Sequence, residues 1–242
     1  MNLLEIDHVS KAFGGLQALR EVAFTVEAGA IVGVMGANGA GKTTLFSLIA
    51  GHVRPDSGAI RFAGRRSDGL RSDVVCRLGI ARTFQIVRPL RGLSVLDNVA
   101  TAALFGAAER LGPRAAEDKA HLLLEELGLG GQAQSLAGAL TLSQQKRLEV
   151  ARALASTPRL LLLDEVMAGL TPTEVAEMLA TLRRIHGQYG LTLLVIEHVL
   201  RALMDLSDRI VVLHHGELIA TGAPAAIAQH SAVHAAYFGT AV

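Results

Sequence analysis

The chain has 242 residues, half of them hydrophobic, which suits one α/β domain with a substantial core. A formal net charge of +1 excludes a global field drawing it onto nucleic acid or an anionic bilayer, and two Tyr, seven Phe and no Trp argue against a base-stacking surface. The single cysteine, Cys76, excludes an internal disulfide and reads as a small buried apolar residue in a reducing compartment.

The first residues, MNLLEIDHVSK, place Glu5 and Asp7 where a signal peptide would be apolar. No apolar run reaches the ~18 residues that a spanning helix needs. Any membrane role is therefore expected to be peripheral and to pass through a partner. Residues 3–9 and 20–26 alternate apolar with polar, the period of half-exposed strands. Residues 30–35 form a continuous apolar run, as in a strand buried on both faces. A glycine-rich turn follows, then a predicted helix over 43–50 ended by Gly51. Residues 88–157 are Ala- and Leu-rich with helical spacing, clearest at 117–127 and 144–155, and read as an inserted helical lobe.

Strand signals resume at 159–163 and 191–196, with a helix over 173–186 between them, a βαβ crossover. Residues 209–213 and 217–221 flank His214-His215-Gly216, a predicted hairpin turn and not a metal site. The pairs Arg65-Arg66 and Arg183-Arg184 read as solvated surface. The expected organisation is a single domain over 1–242: a nucleotide-binding core from 1–87 and 158–242, and a helical lobe from 88–157.

Gly36-Ala37-Asn38-Gly39-Ala40-Gly41-Lys42-Thr43 fits the phosphate-loop pattern G-x-x-x-x-G-K-[ST], with Thr44 following. Its glycines let backbone N–H groups curl inward toward phosphate oxygens. Thr43 opens a helix whose N-terminus favours the same anion. Lys42 supplies a compact cation at the β and γ phosphates of ATP, and the Thr43 hydroxyl can join a Mg²⁺ shell. The motif sits between a predicted buried strand and a predicted helix, as the mechanism requires.

Leu160-Leu161-Leu162-Leu163-Asp164-Glu165 is an apolar strand ending in two carboxylates, at the strand end where open α/β sheets bind ligands. Asp164 can hold the metal shell, and Glu165 can polarise an attacking water as general base. These two motifs establish a nucleoside triphosphatase. By themselves they leave kinases, GTPases and DNA-repair ATPases open.

Four further stretches narrow the class. They are Arg82-Thr83-Phe84-Gln85, Leu140-Thr141-Leu142-Ser143-Gln144-Gln145-Lys146-Arg147, Ala168-Gly169-Leu170-Thr171-Pro172 and Glu197-His198. In this order and spacing the set resembles the ATP-binding cassette family, along the whole chain. The stretches 79–85 and 144–152 and the closing Ala236-Tyr237-Phe238-Gly239 resemble the ATPase subunits of branched-chain amino acid importers.

The resemblance implies an α/β fold: a P-loop core with an N-terminal antiparallel β subdomain and an inserted helical lobe. It implies that Phe13 stacks on adenine, that Gln85 senses γ-phosphate and Mg²⁺ and relays this to the membrane subunits, and that His198 orients γ-phosphate and water. It implies that Thr141, Leu142, Ser143 and Gln144 close over the ATP of an opposite subunit. Here the chain departs from the family's Leu-Ser-Gly-Gly-Gln. Leu142 and Ser143 replace both glycines, and a side chain at either place is expected to crowd the approach or penalise a glycine-like φ. Thr171 stands where Asp or Asn is usual, and Val199 where Asp is usual.

The implied assembly is peripheral at the cytoplasmic face of the inner membrane. Two permease subunits and a second ATPase subunit, identical or similar, are the partners, with a solute-binding protein acting indirectly and no nucleic acid. Residues 84–93 (FQIVRPLRGL) are the expected docking groove for a membrane-subunit helix. The rival readings are a family ATPase for urea or amide import or lipid export, and a soluble ATPase outside transport. The absence of a second cassette, a heptad run or a basic tract counts against the last.

Overall fold

The computed structural model describes residues 1–84, 87–109 and 111–233. The chain opens with β1 (Asn2–Phe13), β2 (Leu16–Glu27), β3 (Ile31–Met35), α1 (Lys42–Ile49), β4 (Ser57–Phe62) and β5 (Arg65–Arg66). It continues through α2 (Ser72–Arg77), β6 (Ile80–Arg82), α3 (Val95–Gly106), α4 (Pro113–Glu126) and α5 (Leu142–Ala155). Then come β7 (Leu160–Asp164), α6 (Pro172–Tyr189), β8 (Thr192–Ile196), α7 (Leu200–Leu206), β9 (Arg209–His214), β10 (Glu217–Gly222) and α8 (Pro224–Ile227). These form two compact units, Met1–Ser72 with Thr192–Val242, and Asp73–Leu191.

The first unit contains an antiparallel sheet in the order β2-β1-β4-β5. Both long strands run further than 3–9 and 20–26, because each contains a bulge. His8 and Glu21 have φ of 49° and 44°, and the pairing register shifts after Ile6. The extra residue lets Asp7 and His8 both face solvent while Val9 returns to the core. The unit's other strands run β10-β9-β3-β8, with β3 parallel to both β8 and β9. β3 and β8 are buried along their whole lengths, as the continuous apolar runs require. Strands β9 and β10 form the expected hairpin, turned by His215 and Gly216 at φ of 45° and 81°.

The second unit holds the parallel pair β6–β7 and the helices α3 to α6. The expected helical lobe at 88–157 lies inside it. Helix α6 starts at a capping box between Thr171 and Glu174 and stops at Gly190, which adopts φ of 59°. Leu182 and Ile185 of α6 are fully buried, whereas Arg183 and Arg184 are exposed, so their period is that of an amphipathic helix. Arg65 and Arg66 are likewise exposed, on the edge strand β5. Cys76 is half-buried instead of fully buried, and burial raises its thiol pKa. Among the described residues no helix is long and apolar enough to cross a membrane.

Candidate functional site

In the first unit the glycine-rich loop runs from the end of β3 into α1. Two of its glycines are dictated by space. A Cβ on Gly36 would stand 2.6 Å from the Leu213 carbonyl oxygen, and one on Gly41 would stand 2.5 Å from that of Ala18. Gly39 and Gly41 also adopt φ of 80° and 101°, where a side chain is strained. The turn closes through the Ala40 amide, which donates to the Ala37 carbonyl at 3.1 Å. Ala37, Asn38, Gly39 and Thr43 are exposed, Thr44 is half-buried and Ala40 is buried.

Gly41 caps α1 without a side-chain acceptor, so the leading N–H groups of the helix are not taken up by a cap. Lys42 is 6% exposed, and its Nζ donates to the carbonyls of Gly36 at 2.6 Å and Ala37 at 3.0 Å. The ammonium is thus held inside the loop, drawn there by carbonyl dipoles. A bound polyphosphate offers it stronger acceptors.

Two more expected residues belong to this unit. Phe13 ends β1 half-exposed, with Lys11 Nζ 5.3 Å from its ring centroid. His198 is exposed just beyond β8. Val199, at the N-cap of α7, gives no side-chain hydrogen bond, which is the contribution an Asp would make there.

In the second unit Asp164 ends β7 with no exposed surface. Its Oδ2 accepts from Arg82 at 2.8 Å, and its amide donates to Thr83 Oγ1 at 3.0 Å. Oδ1 is buried and accepts no hydrogen bond among the described residues. A buried carboxylate oxygen left without a donor fits a cation or a cation's water. Glu165 is 6% exposed at φ of 52°, a conformation uncommon for a residue with a Cβ, and its carbonyl accepts from Lys146 Nζ at 2.8 Å. Gln85 lies outside the described residues.

The altered signature segment forms the start of α5. Thr141 is its N-cap and completes a capping box with Gln144 at 3.3 Å and 3.0 Å. Leu142 and Ser143 are the first residues of the helix, and neither has positive φ, so no glycine-like backbone is demanded. The expected crowding also fails for Ser143. The residue is buried, 9% exposed, in the first turn of α5. Leu142 does stand out, 45% exposed, with Cδ2 3.0 Å from where a Cβ on Gly169 would be.

Ser143→Gly is therefore expected to leave ATP-dependent dimerisation and turnover unchanged. It should cost about 1 kcal/mol of stability through a glycine in the helix. Thermal unfolding and size exclusion with ATP check both; a gain in dimerisation would restore the crowding argument.

The sequence reading missed the supports of this unit. Glu149 on α5 is 5% exposed and accepts from the backbone amides of Phe84 at 3.2 Å and Arg88 at 2.8 Å. Burial raises its pKa despite those bonds. Arg152, one turn on, donates to the Arg88 carbonyl at 2.8 Å. The Arg82 and Arg88 guanidinium groups both lie over the Phe84 ring, 5.6 Å and 5.7 Å from its centroid. The available signal was a run of charges, Lys146, Glu149 and Arg152, at helical spacing among apolar residues. Of the expected docking stretch, Leu90 and Leu93 are both about two-fifths exposed, at 42% and 40%.

Residues 19–168 match the model of the family described as ABC transporter. The chain is 37% identical to the high-affinity branched-chain amino acid transport ATP-binding protein BraF of Pseudomonas aeruginosa, covering 99% of this chain and 98% of that one. It is 35% identical, with the same coverage, to LivG of Escherichia coli, which carries the same description. Among solved structures it resembles the ADP conformation of an ATP-binding cassette of an ABC transporter, with a TM-score of 0.88 at 28% identity over 99% of both chains. A nucleotide-free cassette matches with a TM-score of 0.83 at 29% identity over 92% of both.

Proposed function

This chain belongs to the ABC transporter family as one of its ATP-hydrolysing cassettes, and from that premise we propose that it powers the import of branched-chain amino acids. The observation that carries the reading is identity of 35–37% over nearly the full length of relatives named for that transport. The phosphate loop, held open by glycines that space dictates, supports a nucleotide site at residues 36–44. Phe13 would stack on the adenine. Asp164 would hold Mg²⁺, which supplies charge neutralisation at the phosphates, and its donor-free Oδ1 fits that task. Glu165 would take the proton of the attacking water, with Gln85 and His198 acting at the γ-phosphate.

The proposed assembly has a second cassette, identical or similar, whose 141–144 segment completes each site. It has two permeases docked near residues 84–93 at the cytoplasmic face of the inner membrane. ATP contacts made only in the closed pair would drive the permeases, and hydrolysis would reset them.

The test is leucine uptake into proteoliposomes holding the chain and its permeases, with ATP on the cassette side and the solute-binding protein opposite. Saturable, ATP-dependent leucine accumulation supports the reading. Uptake of urea or amides without leucine would move the chain to the rival importer class. In the same preparation, His198→Ala is expected to lower turnover roughly 10²-fold with ATP affinity nearly unchanged, because an orienting group acts in the transition state. A change confined to affinity would make His198 a structural residue.

A further inference from the structure

A cavity of about 260 Å³ opens on the second unit, outside every residue assigned above. Its walls include Lys119 and Leu122 of α4, Leu154 and Thr157 at and beyond the end of α5, and Tyr189 and Leu191 at and beyond the end of α6. Leu122 and Tyr189 are 67% and 44% exposed, so the mouth is apolar and open. The volume is just below the roughly 300–1,000 Å³ typical of ligand pockets, which suits a small molecule.

Three observations give the cavity a chemical preference. Lys119 is its one cationic wall residue, and no carboxylate pairs with it among the described residues. Its Nζ donates to Thr157 Oγ1 at 2.7 Å, and burial alone lowers its pKa. An ammonium drawn partly out of water without a counter-charge is unfavourable, and an anion would relieve it. The second observation is Thr157 itself. It is β-branched, has φ of 56° and precedes Pro158, a combination that side-chain sterics disfavour. Such strain persists where surroundings over-determine it, as at ligand clamps. Here it holds the hydroxyl that receives Lys119, and the Thr157 O–H has no acceptor of its own among the described residues.

The third observation limits the ligand's other end. Tyr189 donates to Glu126 Oε2 at 2.6 Å, which keeps a carboxylate near the cavity. Glu126 and Lys119 are seven residues apart on α4, about 10 Å along a helix. Both oxygens of the Glu126 carboxylate already accept, from Gln188 Nε2 and Tyr189 Oη at 2.6 Å each, so Glu126 is engaged and offers an amino-acid ammonium no ready partner. An amino acid held by Lys119 would leave its ammonium against apolar walls.

We infer that this cavity binds a short aliphatic monocarboxylate, with its carboxylate on Lys119 Nζ and the Thr157 O–H and its hydrocarbon chain against Leu122, Leu154 and Leu191. The inference does not depend on the transported solute.

The test is isothermal titration of the full chain with hexanoate and with 4-methyl-2-oxopentanoate, against L-leucine and hexylamine. Saturable one-site binding of both acids is expected, with leucine and hexylamine weaker by roughly tenfold or more. Lys119→Met should weaken the acids by at least a similar factor while ATP affinity stays unchanged. Leu122→Glu, at an exposed position that folding tolerates, should do the same by placing a like charge at the mouth, and it decides the matter should Lys119→Met lose ATP binding. The inference is overturned if neither acid saturates, if hexylamine binds as tightly as hexanoate, or if the acids bind a folded Lys119→Met variant as they bind the parent.

Discussion

Lys42→Ala is expected to abolish measurable ATP binding. In the structure the ammonium is 6% exposed and spans two carbonyls of its own loop, at 2.6 Å and 3.0 Å. The substitution removes the one lysine of the loop and leaves those carbonyls short of a donor. A hydrogen bond from a charged group contributes about 1.5–3 kcal/mol, and more than one forms to a polyphosphate, so affinity should fall about 10²-fold or more. The loss at Gly36 and Ala37 should also cost about 1–3 kcal/mol of stability without nucleotide. Two measurements separate these effects. Unfolding without ATP reports the loop's internal loss. The rise in stability on adding ATP, about 2.7 kcal/mol at a hundredfold excess over Kd in the parent, should vanish in the variant. A variant that binds ATP as the parent does would show that residues 36–44 are not the phosphate site.

The glycine-rich loop between β3 and α1 was legible in the sequence because its pattern depends on contiguous residues. Gly36 and Gly41 are needed where Leu213 and Ala18 carbonyls press close, and Lys42 follows at fixed spacing. The carboxylate pair was equally legible, since an apolar strand that ends in Asp164-Glu165 is a local pattern. Strand lengths were less so. His8 and Glu21 adopt positive φ inside β1 and β2, and each bulge breaks the alternation by which a strand is recognised. Glu149 was hidden for a different reason. Its partners are backbone N–H groups of Phe84 and Arg88, which leave no signature in residue identity. Ser143 was misjudged because a family pattern tells which residue is unusual and not where its side chain points. The structure buries it in the first turn of α5. The compact units were also not readable from composition, because the Ala- and Leu-rich stretch at 88–157 falls in one unit with β6, β7 and α6, which lie outside it in the sequence.

Glu165→Gln is expected to keep ATP binding and lose hydrolysis, and so to accumulate an ATP-bound dimer. The side chains are nearly isosteric, so the backbone at φ of 52° and the bond from Lys146 to the Glu165 carbonyl should survive unchanged. What is lost is the ability to accept a proton from water. Removing a general base lowers turnover by ~10²–10⁴. Because the carboxamide leaves the phosphate loop untouched, ATP affinity should stay within a few-fold of the parent. That separates this variant from Lys42→Ala, which should fail at binding. The same contrast distinguishes a base from a merely structural carboxylate. If Glu165 only braced the strand end, Glu165→Gln would lower stability and affinity together, with little change in the turnover of protein that still binds. Single-turnover hydrolysis measures the chemical step, and light scattering with and without ATP measures the dimer. Turnover close to the parent's would assign the base to another group. Lost turnover with no ATP-dependent dimer would separate the chemistry from the closure that the proposed transport cycle requires.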